Sequence, residues 1–571
     1  MRRPGEEKAD SPEDGGSTAQ SPRGPLLGKL VELARLVRQV FIQKTLPNVR
    51  EFIAERQLLI WAVALAIGIG ASYLAIVFRL LIGFFQLPWL GTVSEHVYEA
   101  ASGLPWWVIL VAPAAGGLCV GLLLEYAMPG RRAPAVADVI EARALLGCRI
   151  PLRTGLIGAF ISALSLGCGG SAGREGPVVH LGAALASVLE DYFKLPHATR
   201  RTLLACGVAA AVSASFNAPI AGVLFAHEVI LAHYAMRAFV PIVISSVAAT
   251  VIARIHLGDY PAFFIPNYQI TSYWEFPAFA LLGLTCAAVA ICFQFALIAT
   301  DRITRQIEMP LWLRPVIGGF LVGGIAIAFP QVLGVGYDAT DAALKLQFPL
   351  WLLLALLVAK TAATAITLAS RFGGGIFSPS LYIGAVAGAA YGIIAANAFP
   401  QIASSEGLYA ILGMGAVAGA VLGAPISTVL IVFELTGGYQ MTIALLLCVS
   451  ISTALTQAVL GMSYFHWQLS TRGLFLQEGP HKSIVRSLRV RDFMTLPADD
   501  IELPEVKEDT PMLTPDDTVE AALRAFDKAG LSRLPVVDAN DAARVIACAD
   551  HVKALNAYNA ALIAAHEEEH R

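Results

Sequence analysis

GVAAAVSASFNAPIAGVLFAHE, residues 207–228, and GMGAVAGAVLGAPISTVLIVFE, residues 413–434, are two renderings of one pattern. Laid on each other without a gap, Gly207 meets Gly413, Ala210 meets Ala416, and Ala218-Pro219-Ile220 meets Ala424-Pro425-Ile426. Val223-Leu224 then meets Val429-Leu430, and Glu228 meets Glu434. Small residues recur in any set of closely packed membrane helices, but composition alone does not put two carboxylates and two Ala-Pro-Ile triplets in register. A second match lies upstream, where Pro177, Gly182 and Ala183 of GREGPVVHLGA pair with Pro379, Gly384 and Ala385 of GIFSPSLYIGA. The chain therefore reads as a duplicated unit, with one copy over about 55–256 and the other over about 274–475.

The surroundings fix the solvent of that unit. Of 571 residues, 56% are hydrophobic and 15% charged, and the mean hydropathy is +0.65; soluble chains carry about 25% charged residues. Apolar runs such as Leu58–Phe85 and Leu408–Leu460 are long enough to span a bilayer, whereas Leu156–Leu166 and Val178–Leu189 fall short of about 20 residues. Helices that stop part-way are expected, and non-helical backbone at that depth persists only where protein buries it or it lines a wet cavity. Internal repeats of this kind place a transported substrate at the repeat interface near the membrane midplane.

Other classes are disfavoured. The formal net charge is −3 with basic residues scattered, so nucleic acid is not an expected partner. Seven of the eight cysteines lie in or beside apolar segments, with no CxxC or Cys/His cluster, so no metal or other cofactor is expected. His227-Glu228 with His233 six residues on does not give the four-residue His spacing of a zinc protease, and no enzyme activity is expected. Residues 1–30 are polar and rich in Pro and Gly, as in a disordered cytosolic tail. Arg35, Arg38, Lys44, Arg50 and Arg56 then flank the first apolar run and predict a cytoplasmic N-terminus.

The matched segments around Pro177 and Pro379 share a physical form: glycines, then a proline, then an apolar helix. Proline suits the first helical turn because its missing N–H would be unpaired there anyway. Each segment so presents free amides and the positive end of a helix dipole inside the membrane, which binds an anion without a full charge. Partial charges let an ion enter and also leave. Glu175 stands at one of these ends, and an ionisable residue at membrane depth marks a functional site.

With these residues in hand, the sequence resembles the chloride channel (CLC) family. GSAGREGP (170–177), NAPIAGVLFAHE (217–228), GGGIFSPSLYIG (373–384) and FELTGGYQ (433–440) stand in that family's order, and the resemblance covers roughly 55–475. It implies an all-α, polytopic, inverted-repeat fold of tilted and broken helices, working as a homodimer among membrane lipid, with chloride or a similar small anion as the transported ligand. It further implies that Glu175 is the gating glutamate. Gly173, Arg174, Gly176 and Pro177, with Gly375, Ile376, Phe377, Ser378 and Pro379, are the implied anion-binding segments. Localisation in the plasma membrane with both termini cytoplasmic follows.

Three departures from the family pattern shape the expected function. Pro134, in Ala133-Pro134-Ala135-Val136-Ala137, takes the place of an anion-coordinating serine. Phe465 takes the place of the central tyrosine, with Tyr464 one residue away. Val229 occupies the position of the internal proton glutamate of the family's exchangers. Valine cannot titrate, so the sequence favours a passive gated chloride channel; the alternative is a proton-coupled antiporter using His227 or water as its inner proton route. Glu228, matched by Glu434, is expected to bond backbone at helix ends.

Residues 485–571 read as a small α+β domain resembling a single CBS motif. Thr514-Pro515-Asp516-Asp517-Thr518-Val519 are expected to open a helix running to about Ala529, followed by strands at Leu534–Asp538 and Val545–Asp550. Paired CBS motifs take an adenine nucleotide, but Ala547 replaces the usual Ser/Thr, which argues against one here.

Overall fold

In this computed structural model, residues 57–474 are described apart from 146, 196, 235, 259–269, 271, 402–403 and 437–438, followed by 488–496, 511–538 and 541–570. Before them, 29, 33, 35–39, 41–45, 50, 53 and 56 are described. All but residue 29 of the expected polar tail, and Gly437-Gly438 of the FELTGGYQ motif, lie outside the described residues.

The first copy of the repeat comprises α1 (Gln57–Leu90), α2 (Val97–Ser102), α3 (Trp106–Tyr126), α4 (Val136–Leu145), α5 (Leu152–Gly167), α6 (Glu175–Phe193), α7 (His197–Phe216), α8 (Pro219–Phe225) and α9 (Met236–Leu257). The second comprises α10 (Phe276–Gln306), α11 (Leu313–Ala328), α12 (Tyr337–Leu344), α13 (Leu350–Ala369), α14 (Phe377–Ala398), α15 (Glu406–Leu422), α16 (Pro425–Thr436), α17 (Tyr439–Leu460) and α18 (Tyr464–Ser470). Among the described residues, seven helical stretches are long and apolar enough to cross a membrane, and others, such as α5 and α15, are apolar but shorter. The chain is a multi-pass membrane protein.

The duplication is visible in backbone detail. Asn217 and Gly423, matched in the sequence, both adopt left-handed φ, 58° and 68°, and so turn the chain from α7 into α8 and from α15 into α16. The matched glycines also meet: α6 crosses α7 at Gly182 and Gly207, and α14 crosses α15 at Gly384 and Gly413. A Cβ added at Gly182 would lie 2.4 Å from the Gly207 carbonyl oxygen, and one at Gly384 would lie 2.4 Å from that of Gly413. Only residues without a side chain allow helices to approach so closely.

Glu228 and Glu434 join the copies reciprocally. Glu434 accepts from the Ile220 and Ala221 amides (3.0 and 2.8 Å) at the start of α8, and Glu228 accepts from those of Ile426 and Ser427 (3.1 and 2.8 Å) at the start of α16. Each acid thus satisfies orphan donors at the proline-opened helix of the other copy.

Residues 488–570 build a core from Val490, Phe493, Leu513, Val519, Phe526, Leu534 and Val536. Strands β1 (Arg533–Asp538) and β2 (Asp541–Asp550) pair antiparallel, between helices α19 (Val519–Ala529) and α20 (His551–His570). The helix expected to open within Thr514–Val519 begins at Val519: the Asp517 carboxylate accepts from the Thr514 amide at 2.6 Å, closing a local turn, and Thr518 caps α19 by accepting from Ala521 N. Side-chain competition for backbone donors keeps Thr514–Asp517 in that turn ahead of the helix. Ala547 is fully buried in this core.

Candidate functional site

The two glycine-rich segments meet at the centre. Gly173 N donates to Gly375 O at 2.6 Å and Gly375 N to Gly173 O at 2.7 Å, an antiparallel bridge. Two matched segments running antiparallel through one point is what an inverted duplication produces. The N-termini of α6 and α14 open there, so the first-turn amides of both lack intrahelical acceptors.

A cavity of about 30 Å³ lies against this bridge, enough for a single small ion or water. Glu175, Gly176, Gly375, Ile376 and Phe377 line it from the helix starts, and Ala135 and Val136 from the start of α4. Val179, Val212, Phe216 and Phe225 give it apolar walls, and the Phe216 and Phe377 rings stand 4.8 Å apart. Tyr464 and Phe465 both reach it from α18. Pro134 is buried beside the cavity with its ring toward α5, where a Cβ at Gly158 would approach Pro134 Cδ to 2.5 Å. The lining at this point comes from its neighbours Ala135 and Val136, so the segment contributes no hydroxyl.

Glu175 closes one end of the cavity. The carboxylate is 2% exposed, and its Oε1 accepts from Tyr337 Oη at 2.9 Å and from Ser378 Oγ, while Oε2 has no partner among the described residues. Ser378 therefore contacts the Glu175 carboxylate rather than lining the cavity. Gly173 makes the bridge, and Pro177 and Pro379 occupy the first turns behind it.

Arg174, expected among the anion-binding residues, faces away from the central cavity. Its guanidinium donates to Glu95 and to Ser215 O (3.2 Å), and it lies 4.6 Å from the Tyr337 ring centroid. Glu95 also pairs with Arg79 at 2.9 Å. Arg174, Glu95 and Tyr337 line a second cavity of about 460 Å³, which the Tyr337 hydroxyl joins to the Glu175 carboxylate. Beyond the opposite end of the central cavity lies a vestibule of about 250 Å³, whose wall shares Ala135, Leu368, Gly374, Tyr464 and Gln468 with it. Four arginines, Arg132, Arg305, Arg371 and Arg472, line this vestibule with Asp138 and Asp301.

Sequence reasoning did not find Tyr337 or its support, Lys360. The Lys360 ammonium is fully buried, donates to the carbonyls of Val332 (3.0 Å) and Gly334 (3.1 Å), and stands 5.0 Å from the Tyr382 ring centroid. It thereby fixes the turn that leads into α12 and aims Tyr337. A lone lysine within the apolar run of α13 was the available signal.

A cavity, a buried carboxylate, a small amide-lined cavity and an arginine-bearing vestibule thus follow one another. Residues 116–457 match the voltage gated chloride channel family. A protein of Ralstonia nicotianae whose name likens it to the chloride channel protein ClcB is 34% identical over 392 residues, covering 68% of this chain and 91% of the relative. This chain belongs to the CLC family. The H(+)/Cl(−) exchange transporter ClcA of Vibrio cholerae is 30% identical to this CLC protein over 317 residues, covering 54% of this chain and 68% of the relative. Among solved structures, that of a slow cyanobacterial Cl−/H+ antiporter superposes with TM-score 0.64 at 23% identity, over 74% of this chain and 99% of the other. A eukaryotic CLC transporter gives TM-score 0.62 at 17% identity, over 89% of each chain. These two likenesses establish the CLC fold, and the protein transports anions as the family does.

Proposed function

We propose that this protein exchanges chloride for protons, with Glu175 serving as gate and as proton carrier. The observation that carries the reading is the position of the Glu175 carboxylate: it stands between two cavities, held by two hydroxyl donors, with one oxygen unpartnered. An anion can pass only when this side chain leaves, and protonation is the change that weakens its hold on the two hydroxyls. The relative named as an H(+)/Cl(−) exchange transporter supports the same reading.

The inner proton route then avoids residue 229, since Val229 is buried and apolar. His227 is buried in the π-helical turn Ala226–Leu231 that continues α8, with Nδ1 3.2 Å from His233 O and Nε2 unpartnered among the described residues. It is the nearest titratable side chain in sequence to the missing glutamate apart from Glu228, which is committed to α16. Water entering beside it would complete the route. A passive gated channel is the second reading, and Val229 is the observation that favours it.

We place the protein in the plasma membrane as a homodimer with both termini cytoplasmic. Exposed apolar residues Ile220, Val247, Val251, Ile426 and Ile443 on α8, α9, α16 and α17 suit lipid or a second copy.

The test is reconstitution in liposomes with an imposed chloride gradient while external pH is followed. Chloride-driven uphill proton movement that is lost in Glu175→Ala is expected. Chloride flux with no proton movement would overturn the exchanger in favour of the channel.

A further inference from the structure

Helix α13 ends in a left-handed turn of the Schellman type, in which Arg371 N donates to Leu368 O at 3.1 Å and Phe372 N to Thr367 O at 3.2 Å. Glycine usually holds the left-handed position of such a turn, because a Cβ is disfavoured there. This chain puts Arg371 in that position, with φ of 71°. Backbone strain accepted at one residue directs attention to what its side chain does.

The Arg371 side chain lines the vestibule, three residues before Gly374, which lines both the vestibule and the central cavity. The other vestibular arginines have carboxylate partners. Arg132 pairs with Asp138, Arg472 with Asp138 (3.0 Å) and Glu141 (2.7 Å), and Arg305 with Asp301 (2.7 Å). Among the described residues, Arg371 makes no side-chain hydrogen bond or ion pair. Of the charges acting on it through space, Asp301 attracts while Arg305, Arg314 and Arg132 repel. Asp301 is itself paired with Arg305, so among the described residues the Arg371 guanidinium keeps no contact partner of its own in the vestibule wall, and an anion is the partner its donors would take.

We propose that Arg371 is a vestibular anion-capture site that sets how fast the central cavity fills from the side on which α18 ends. The inference rests on anion transport by this chain and is independent of proton coupling. A single guanidinium open to water attracts a monovalent anion without trapping it, as a pathway that must also release the ion requires. The planar fork offers two parallel donors, so an oxyanion such as nitrate is held better than a spherical halide. Salt screens such a field: the Debye length is about 30 Å at about 0.01 M and about 3 Å at about 1 M.

The experiment compares initial chloride and nitrate efflux from liposomes holding the full chain, wild type against Arg371→Gln, Arg371→Gly and Arg371→Lys, at low and high concentrations of an inert salt. At low salt the Gln and Gly variants are expected to lose about three- to tenfold in rate, the scale of modest electrostatic steering, and the gap closes at high salt. The Lys variant is expected to keep most of the chloride rate and lose the advantage of nitrate. Arg371→Gly also relaxes the turn, so its melting temperature in detergent should equal or exceed wild type, which separates a slow variant from a misfolded one. Wild-type rates in Arg371→Gln and Arg371→Gly at every salt concentration would overturn the proposal. A wild-type chain carrying neither ion would instead overturn the reading on which it rests.

Discussion

The hydroxyl of Tyr337 donates to the Glu175 carboxylate across 2.9 Å, and the two residues line different cavities. This hydrogen bond therefore lies across the proposed anion pathway, with Ser378 adding a second donor to the same oxygen. A hydrogen bond to a charged group contributes about 1.5–3 kcal/mol. Removing either donor should depopulate the closed position roughly tenfold or more, since about 1.4 kcal/mol corresponds to a factor of ten. Tyr337→Phe and Ser378→Ala are expected to speed chloride efflux from liposomes, and the double variant to be faster than either. Unchanged or slower efflux in both single variants would detach these hydroxyls from gating.

Lys360 controls the same contact from a distance. Its ammonium ties down the carbonyls of Val332 and Gly334 just before α12, the helix that begins with Tyr337. Lys360→Met leaves those two buried acceptors unpaired, at a cost of about 1–3 kcal/mol each. The variant should melt earlier in detergent and show efflux like Tyr337→Phe. The double variant Lys360→Met/Tyr337→Phe should be no faster than Tyr337→Phe alone, because residues acting through one contact are not additive. Additive rates would make Lys360 a stability residue with no part in gating.

The paired glycine crossings make a symmetric prediction. Gly207→Ala and Gly413→Ala each push a methyl into a facing carbonyl, with approaches of 2.3 and 2.5 Å before relaxation. Overpacking of this kind costs about 1–3 kcal/mol. Both variants should lower the melting temperature in detergent by similar amounts. A large effect in one copy and none in the other would show that only one crossing is under tight packing.

How far the sequence revealed this protein depended on whether a feature obeys local rules. Pro177, Pro379, Pro219 and Pro425 announced helix starts because proline fits the first turn of any helix. Glu228 and Glu434 stood out because they recur in register. Tyr337 left no such trace: it lies 162 residues from Glu175, on a short helix outside the matched segments, and only the closed fold brings the two together. Pro134 occupies the expected segment, yet the neighbouring Ala135 and Val136 form the cavity wall, because a shift of one residue at a helix entry changes which side chain points inward. The opening of α19 was legible as the stretch Thr514–Val519 but not to the residue, because Asp517 can serve a turn as readily as a helix. The expectation of a passive channel rested on Val229, whereas a relative in the same family is named an H(+)/Cl(−) exchange transporter.

Glu228 and Glu434 separate a structural acid from a proton carrier. Each carboxylate accepts two backbone amides of the opposite copy, and Glu228 also accepts from Ser427 Oγ at 2.5 Å. Replacing either by Ala leaves helix-start donors unpaired, and losing a helix cap of this type costs about 0.5–2 kcal/mol. Glu228→Ala and Glu434→Ala should therefore both destabilise the protein to thermal melting, with Gln in their place recovering part of the loss through its remaining carbonyl oxygen. Neither Gln variant should alter the ratio of protons to chloride moved, measured by pH and chloride electrodes on the same liposomes. Val229→Glu is the contrasting change, since it places a titratable group one residue on, in the buried turn beside His227. It should raise that ratio. A fall in coupling in Glu228→Gln with coupling unmoved in Val229→Glu would transfer the inner proton role to Glu228 itself.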